Sequence, residues 1–215
     1  MPRSTATARP RARRAATIGP SGDAPSSRRQ EVLAVAAGLF AERGYHGTSM
    51  RDIAEALSMR APSLYKHVKS KDALLDEIVT IYLDALLPRL EMAANGAGTG
   101  AERLAAMIEA TIDIGRAHLN EFLTLSNDWN QIRRSPALTA LWSRTRVAIP
   151  LWLQVLRDGM SDGSLRQDLD PPRVLRVLIG AASSMIDTRF DEIDEESAGG
   201  RAAVAIDTLL HGLEA

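Results

Sequence analysis

The chain has 215 residues, 45% of them hydrophobic and 25% charged, which are ordinary globular proportions with length enough to bury a core without staples. The absence of cysteine excludes disulfide scaffolds, thiolate metal sites and cysteine nucleophiles and fits a reducing, cytoplasmic setting. No apolar run nears the roughly 18 residues of a membrane span. A net charge of −1 hides a polarity, because residues 1–90 hold 14 Lys+Arg against 9 Asp+Glu and residues 91–215 hold 12 against 18; a basic end on an acidic body points to a polyanionic partner at that end.

Residues 1–25 are rich in Arg, Ala, Pro, Ser, Thr and Gly and are expected to form a disordered basic arm, because they carry too little apolar surface to offset ordering entropy. The arm reads either as a solvated tail or as an extension that touches DNA. From residue 26 the periodicity is helical. Ser27 and Gln30 form a capping box. Val32, Ala36 and Phe40 make an apolar stripe that Gly44 stops, predicting a first helix over 27–43. Ser49 with Asp52 begins a short second helix, 49–57, followed by the break Ser58-Met59-Arg60. Pro62 sits where a first turn tolerates it, and a third helix is predicted over 61–67. Ser70 caps a fourth that extends to about 87.

Beyond a glycine-rich loop at 96–100, helices are predicted at 101–118, 119–131, 137–160 (kinked at Pro150), 171–189 and 200–213. No segment alternates with period two, so the expected fold is all-α: a three-helix helix-turn-helix domain at 26–72, then a larger helical body at 73–215 for ligand binding and dimerisation. In the third helix Leu64 and Val68 form the inward side. Pro62, Ser63, Tyr65, Lys66 and His67 lie on the other faces, with small Ala61 and Ser63 allowing close approach. All three lysines, Lys66, Lys69 and Lys71, fall in this stretch, and Lys71 is expected to reach a phosphate.

Phe40-Ala41-Glu42-Arg43-Gly44-Tyr45, Thr48 to Ala54, and Ser63 to Lys71 followed by Ala73-Leu74-Leu75 together resemble the DNA-binding domain of the tetracycline-repressor (TetR) family over residues 28–78. Ser58 departs from the usual glycine of the turn, and Arg60 from the usual small cap, where it offers an extra phosphate contact. The resemblance implies phosphate-positioning roles for Thr48, Ser49, Tyr65, His67 and Lys71, and positions at the base edges for Arg51, Ala61, Pro62, Ser63 and Lys66. It also implies a homodimer on a double-stranded operator, repression relieved by a small effector, and no enzymatic activity. The competing class is an all-α ligand carrier or enzyme whose N-terminal motif contacts protein.

In the body, residues 174–186 are apolar nearly all round, which reads either as a dimer interface or as an internal core helix. Met107, Phe122, Trp129, Trp142 and Trp152 are the expected walls of an apolar effector site, with plain core packing as the other reading. The stretch from Trp152 to Asp170 is loosely similar to family members that respond to fatty acyl or steroid-derived coenzyme A thioesters. Arg133, Arg134, Arg144 and Arg146 read as anion holders or solvated faces. The four histidines show no metal-ligand spacing, the acidic run 191–196 reads as a solvated loop, and no cofactor or metal motif is present.

Overall fold

A computed structural model describes residues 27–186, 208 and 211–213. The basic arm, the acidic run and most of the last expected helix lie outside the described residues. Within them every regular element is helical: α1 (Ser27–Gly47), α2 (Met50–Ala56), α3 (Ala61–Leu64), α4 (Lys71–Ala94), α5 (Gly100–Ala117), α6 (Leu119–Asn127), α7 (Trp129–Arg134), a 3₁₀ turn (Pro136–Leu138), α8 (Thr139–Thr145), α9 (Ala148–Asp162) and α10 (Pro171–Ile186).

The first three helices and the start of α4 enclose a small core of Val32, Ala36, Phe40, Ile53, Leu64 and Leu74, all of them fully buried. α1 breaks at Gly44, whose φ of 73° is a left-handed conformation that glycine adopts at little cost. The chain turns there and Tyr45 packs back onto Phe40, with ring centroids 5.7 Å apart. Ser49 and Asp52 form the expected capping box on α2, a device worth about 1 kcal/mol. The end of α2 is a Schellman closure: Met59 donates to the Ala54 carbonyl and Ser58 to that of Glu55. Ser58 occupies the left-handed position with φ 52°, where glycine would be unstrained.

α3 is shorter than the expected 61–67. Arg60 supplies no side-chain cap, and beyond Leu64 the hydrogen bonds tighten to three-residue spacing, Lys66 to Ser63 and His67 to Leu64. Ser70 then caps α4 by accepting from the Ala73 amide.

α4 outruns its expected end and reaches Ala94, because Leu90 and Ala94 beyond Pro88 are buried anchors. It crosses α5, which packs in turn on α9 and α10. The start of α5 meets the end of α9 so closely that a Cβ on Gly100 would lie 2.2 Å from the Gly159 Cα; only glycine fits there. The Gly100 amide donates to Asp162, and Arg103 ties the Ala94 carbonyl to the Asp158 carboxylate.

Two expected helices are each broken. The 119–131 helix divides at Asp128 into α6 and α7. The 137–160 helix divides at Arg146–Val147, ahead of Pro150, which takes the third position of α9. A proline in a first turn forfeits no hydrogen bond, so the chain restarts before it rather than kinking at it. In the protomer α10 buries one stripe, Leu175, Leu178, Ala182 and Ile186, and leaves Val177 and Ile179 exposed.

Candidate nucleic-acid interface and effector cavity

The recognition element stands on a tight support. Leu64 and Val68 are buried as expected, whereas Tyr65 is 54% exposed. Lys66, Pro62, Arg60, Arg51 and Ser49 are also exposed, and Ala61, Ser63 and His67 are half-buried. The polar side of α3 and its following turn is therefore open to solvent, as is the start of α2.

Two arginines of α1, which the sequence pattern did not single out, hold this element from behind. Arg28 donates to the Leu57 carbonyl at the end of α2. Arg29 donates to the His67 carbonyl and to both oxygens of Glu77 on α4. Helices of four to seven residues are marginal alone, so these long-range polar ties fix where α2 and α3 sit.

Two residues expected at the DNA have partners within the chain. Thr48 is buried, and its hydroxyl faces the Leu39 and Gly44 carbonyls at 3.2 and 3.0 Å. Lys71 points inward: its Nζ donates to the Tyr45 and Thr48 carbonyls at 2.7 and 2.8 Å and lies 4.0 Å from the centre of the Tyr45 ring. The Tyr45 carbonyl also accepts from the Thr48 amide at 3.4 Å, and Thr48 lies between α1 and α2; the ammonium adds a donor to both carbonyls at this corner. In this arrangement both side chains are engaged with backbone carbonyls. Tyr45 is clamped at its other end, its hydroxyl donating to Asp72 at 2.7 Å; burial and the two nearby carboxylates, Asp72 and Asp128, push that phenol well above its ordinary value.

The body holds a half-open cavity of about 500 Å³ lined from each of α4 to α10. Tyr82, Leu86 and Leu90 of α4, Phe122 and Leu125 of α6, Trp129 of α7, and Ile149 and Trp152 of α9 make apolar walls; Thr111, Ser126, Asn130, Thr145 and Ser183 add scattered polar groups. Tyr82 stacks edge-on against Phe122, and burial raises its phenol above the ordinary range. Hollow, largely apolar and sparsely polar is the character of a small-ligand site.

Phe122, Trp129 and Trp152 thus line the cavity, and two further expected wall residues do not. Met107 is wholly buried in the core one turn from Thr111. Trp142 packs behind Trp129, with centroids 4.8 Å apart, and faces a smaller hollow with Arg146 and Pro150. Of the four arginines considered as anion holders, Arg144 is engaged with Thr80 and Asp84 of α4, Arg146 lies 5.8 Å from the Trp142 ring, and Arg133 and Arg134 are exposed. Among the described residues no cluster of His, Asp or Glu suits a metal ion, and no helix is long and apolar enough to cross a membrane.

The profile described as "Bacterial regulatory proteins, tetR family" matches residues 32–78, the segment that builds the trihelical unit. The chain is 30% identical over 154 residues to the HTH-type transcriptional repressor KstR2 of Mycolicibacterium smegmatis, covering 72% of this chain and 75% of that one. It is 34% identical over 154 residues to the KstR2 of Rhodococcus jostii, covering 71% and 75%. The structure of the ketosteroid transcriptional regulator KstR2 of Mycobacterium tuberculosis superposes with a TM-score of 0.80 at 26% identity, covering 88% of this chain and 96% of that one. The chain belongs to the TetR family of bacterial regulatory proteins and is a DNA-binding transcriptional regulator.

Proposed function

We propose that the protein is a cytoplasmic repressor that binds a near-palindromic operator as a homodimer and is released when a small apolar or amphipathic effector fills the cavity. The observation that carries this reading is the sharing of one long helix: α4 begins beside the exposed Tyr65–Lys66 face and ends as a wall of the hollow. Residues 26–72 act as the DNA-binding unit and 73–215 as the effector and dimerisation unit. Arg51, Ala61, Pro62, Ser63 and Lys66 meet or border base edges, while Ser49, Arg60, Tyr65 and His67 contact phosphates. α10 offers the two-fold contact through its exposed side, where Val177 and Ile179 flank Gly180.

The names of the relatives support repression as the sense of regulation, and the ketosteroid regulator among them supports a steroid-derived effector, with a fatty acyl coenzyme A thioester as the other class. A cavity of about 500 Å³ lies within the range of drug-sized sites. A required coupling of about 1–3 kcal/mol is ordinary for such regulators.

Gel-shift titration of promoter DNA over a salt series, with and without androstenedione, a steroid coenzyme A thioester and palmitoyl-CoA, tests the reading. Operator binding that weakens with salt, retains preference over scrambled DNA and is relieved by one of these compounds is the expected result. Binding with no preference for any sequence would overturn it.

A further inference from the structure

The segment 124–131, which spans the end of α6 and the start of α7, faces two ways. One side lines the cavity through Leu125, Ser126, Trp129 and Asn130. The other makes a row of polar contacts along α1: Thr124 Oγ1 lies 3.4 Å from the Ala37 carbonyl, Asn127 donates to the Ala41 carbonyl, and Gln131 meets His46. In the middle of that row Asp128 accepts the Tyr45 amide proton at 2.8 Å. The spacing is that of one helical stripe, so movement of the cavity wall must move the row.

Asp128 differs from its neighbours in the row. It sits at the break between α6 and α7, it is almost completely buried, and it holds the amide that the Gly44 break removes from the α1 ladder. Burial raises its carboxyl above the ordinary range even though the Tyr45 amide, His46 and Lys71 all pull it down. A carboxylate held in such a place is costly unless its hydrogen bonds are kept. From Tyr45 the connection continues without a gap: its carbonyl and that of Thr48 are held by Lys71, and its hydroxyl by Asp72, both in the first turn of α4 directly after the recognition turn.

We propose that Asp128 is the positioning residue that couples the cavity wall to the DNA-binding unit, by carrying displacement of Trp129 to the Tyr45 amide and so to the corner between α1 and α2. This route runs through α1, alongside any motion transmitted along α4. The inference rests on reading the cavity as an effector site, and its test is arranged to need no effector.

The full chain is used with a duplex operator selected from random-sequence DNA by the unaltered protein. Asp128→Ala is expected to weaken operator binding roughly fivefold or more, and Asp128→Asn, which retains an accepting oxygen, to restore it to within about twofold of the unaltered chain. Trp129→Ala is expected to shift operator affinity about threefold to tenfold when Asp128 is present, and less than about twofold when Asp128→Ala is combined with it. Independent, multiplying effects of the two substitutions would overturn the proposal, as would an Asp128→Ala chain that binds operator like the original. Should Asp128→Ala fail to fold, the same cycle with Gln131→Ala decides, expecting a smaller but still non-multiplicative effect. Steroid and acyl-CoA titrations run beside the cycle separate the two readings: a non-multiplicative cycle without any ligand response faults the effector assignment, and a multiplicative cycle with intact response faults the Asp128 route.

Discussion

Two regions of this molecule are built from helices packed through aliphatic residues and share α4, yet one has a sealed apolar centre with a polar-edged groove beside the recognition turn, and the other holds an apolar pocket. Around Phe40, Ile53 and Leu64 the trihelical unit leaves no side chain partly covered in its centre. It is tied further by Arg28, Arg29 and Lys71 to backbone carbonyls. Around Leu86, Leu87, Phe122 and Trp152 the body leaves about 500 Å³ open. A groove reader must hold its side chains in one arrangement, and an effector site must leave volume for a guest. The difference assigns rigidity to one end of α4 and adjustable space to the other.

The sharpest way to break this comparison is to truncate a leucine in each region. Leu64→Ala is expected to cost about 2–5 kcal/mol in urea unfolding, because it opens a void in a sealed core. Leu87→Ala, half-buried and already facing open space, is expected to cost less than about 1.5 kcal/mol. Equal costs would mean that the cavity collapses or that the small core does not seal.

Next in size is the contrast between two lysines five residues apart. Lys71→Ala removes a donor from two carbonyls and a cation from the Tyr45 ring, and is expected to destabilise by about 1–3 kcal/mol while leaving the salt dependence of operator binding unchanged. Lys66→Ala is expected to leave stability within about 0.5 kcal/mol and to reduce the slope of log affinity against log salt by about 1. The reverse pattern would reassign Lys71 to the DNA.

Smaller still is Ser58→Gly, which relieves a left-handed serine and is expected to raise stability by about 0.5–1 kcal/mol, read as a modest rise in Tm. The least effect is in pH dependence. The Asp128 carboxyl is raised in the folded state, so the native chain binds its proton more tightly than the unfolded chain. The stability due to this group is therefore greatest at low pH and declines as pH climbs from the ordinary carboxylate value of about 4 through the raised native value. Asp128→Asn should flatten that decline in pH-dependent unfolding; an unchanged profile would deny the shift.

Much of the trihelical unit was legible in the residues because local rules and packing agree there. The Ser49–Asp52 box, the Ser70 cap and the Leu64–Val68 inward pair all rest on spacings of three or four residues. The inward turn of Thr48 and Lys71 was not legible, since it depends on where the carbonyls of Leu39, Gly44, Tyr45 and Thr48 come together at the α1–α2 corner, which a sequence does not display. In the body the aromatic content pointed to the right region, but which rings face the cavity depends on where helices break. Beyond the break at Asp128, Trp129 borders the pocket while staying partly exposed, and Trp142 packs against its other side. The Thr99–Glu102 box that starts α5 sits among the glycines of the 96–100 loop, whose composition alone signals a turn rather than a helix start. Nothing in the sequence pattern singles out Arg28 and Arg29, because only the tertiary approach of the α2 end and His67 gives them carbonyls to hold.

The central claim is that the exposed Tyr65–Lys66 side of the α3 element enters duplex DNA from both members of a dimer. Footprinting the full chain on a selected operator tests this most directly. The account predicts two protected half-sites with centres roughly 34–36 Å apart, and loss of both in a Tyr65→Ala, Lys66→Ala double variant that keeps its melting temperature. A footprint that survives the double variant unchanged, or a single protected site with no symmetry mate, would contradict it.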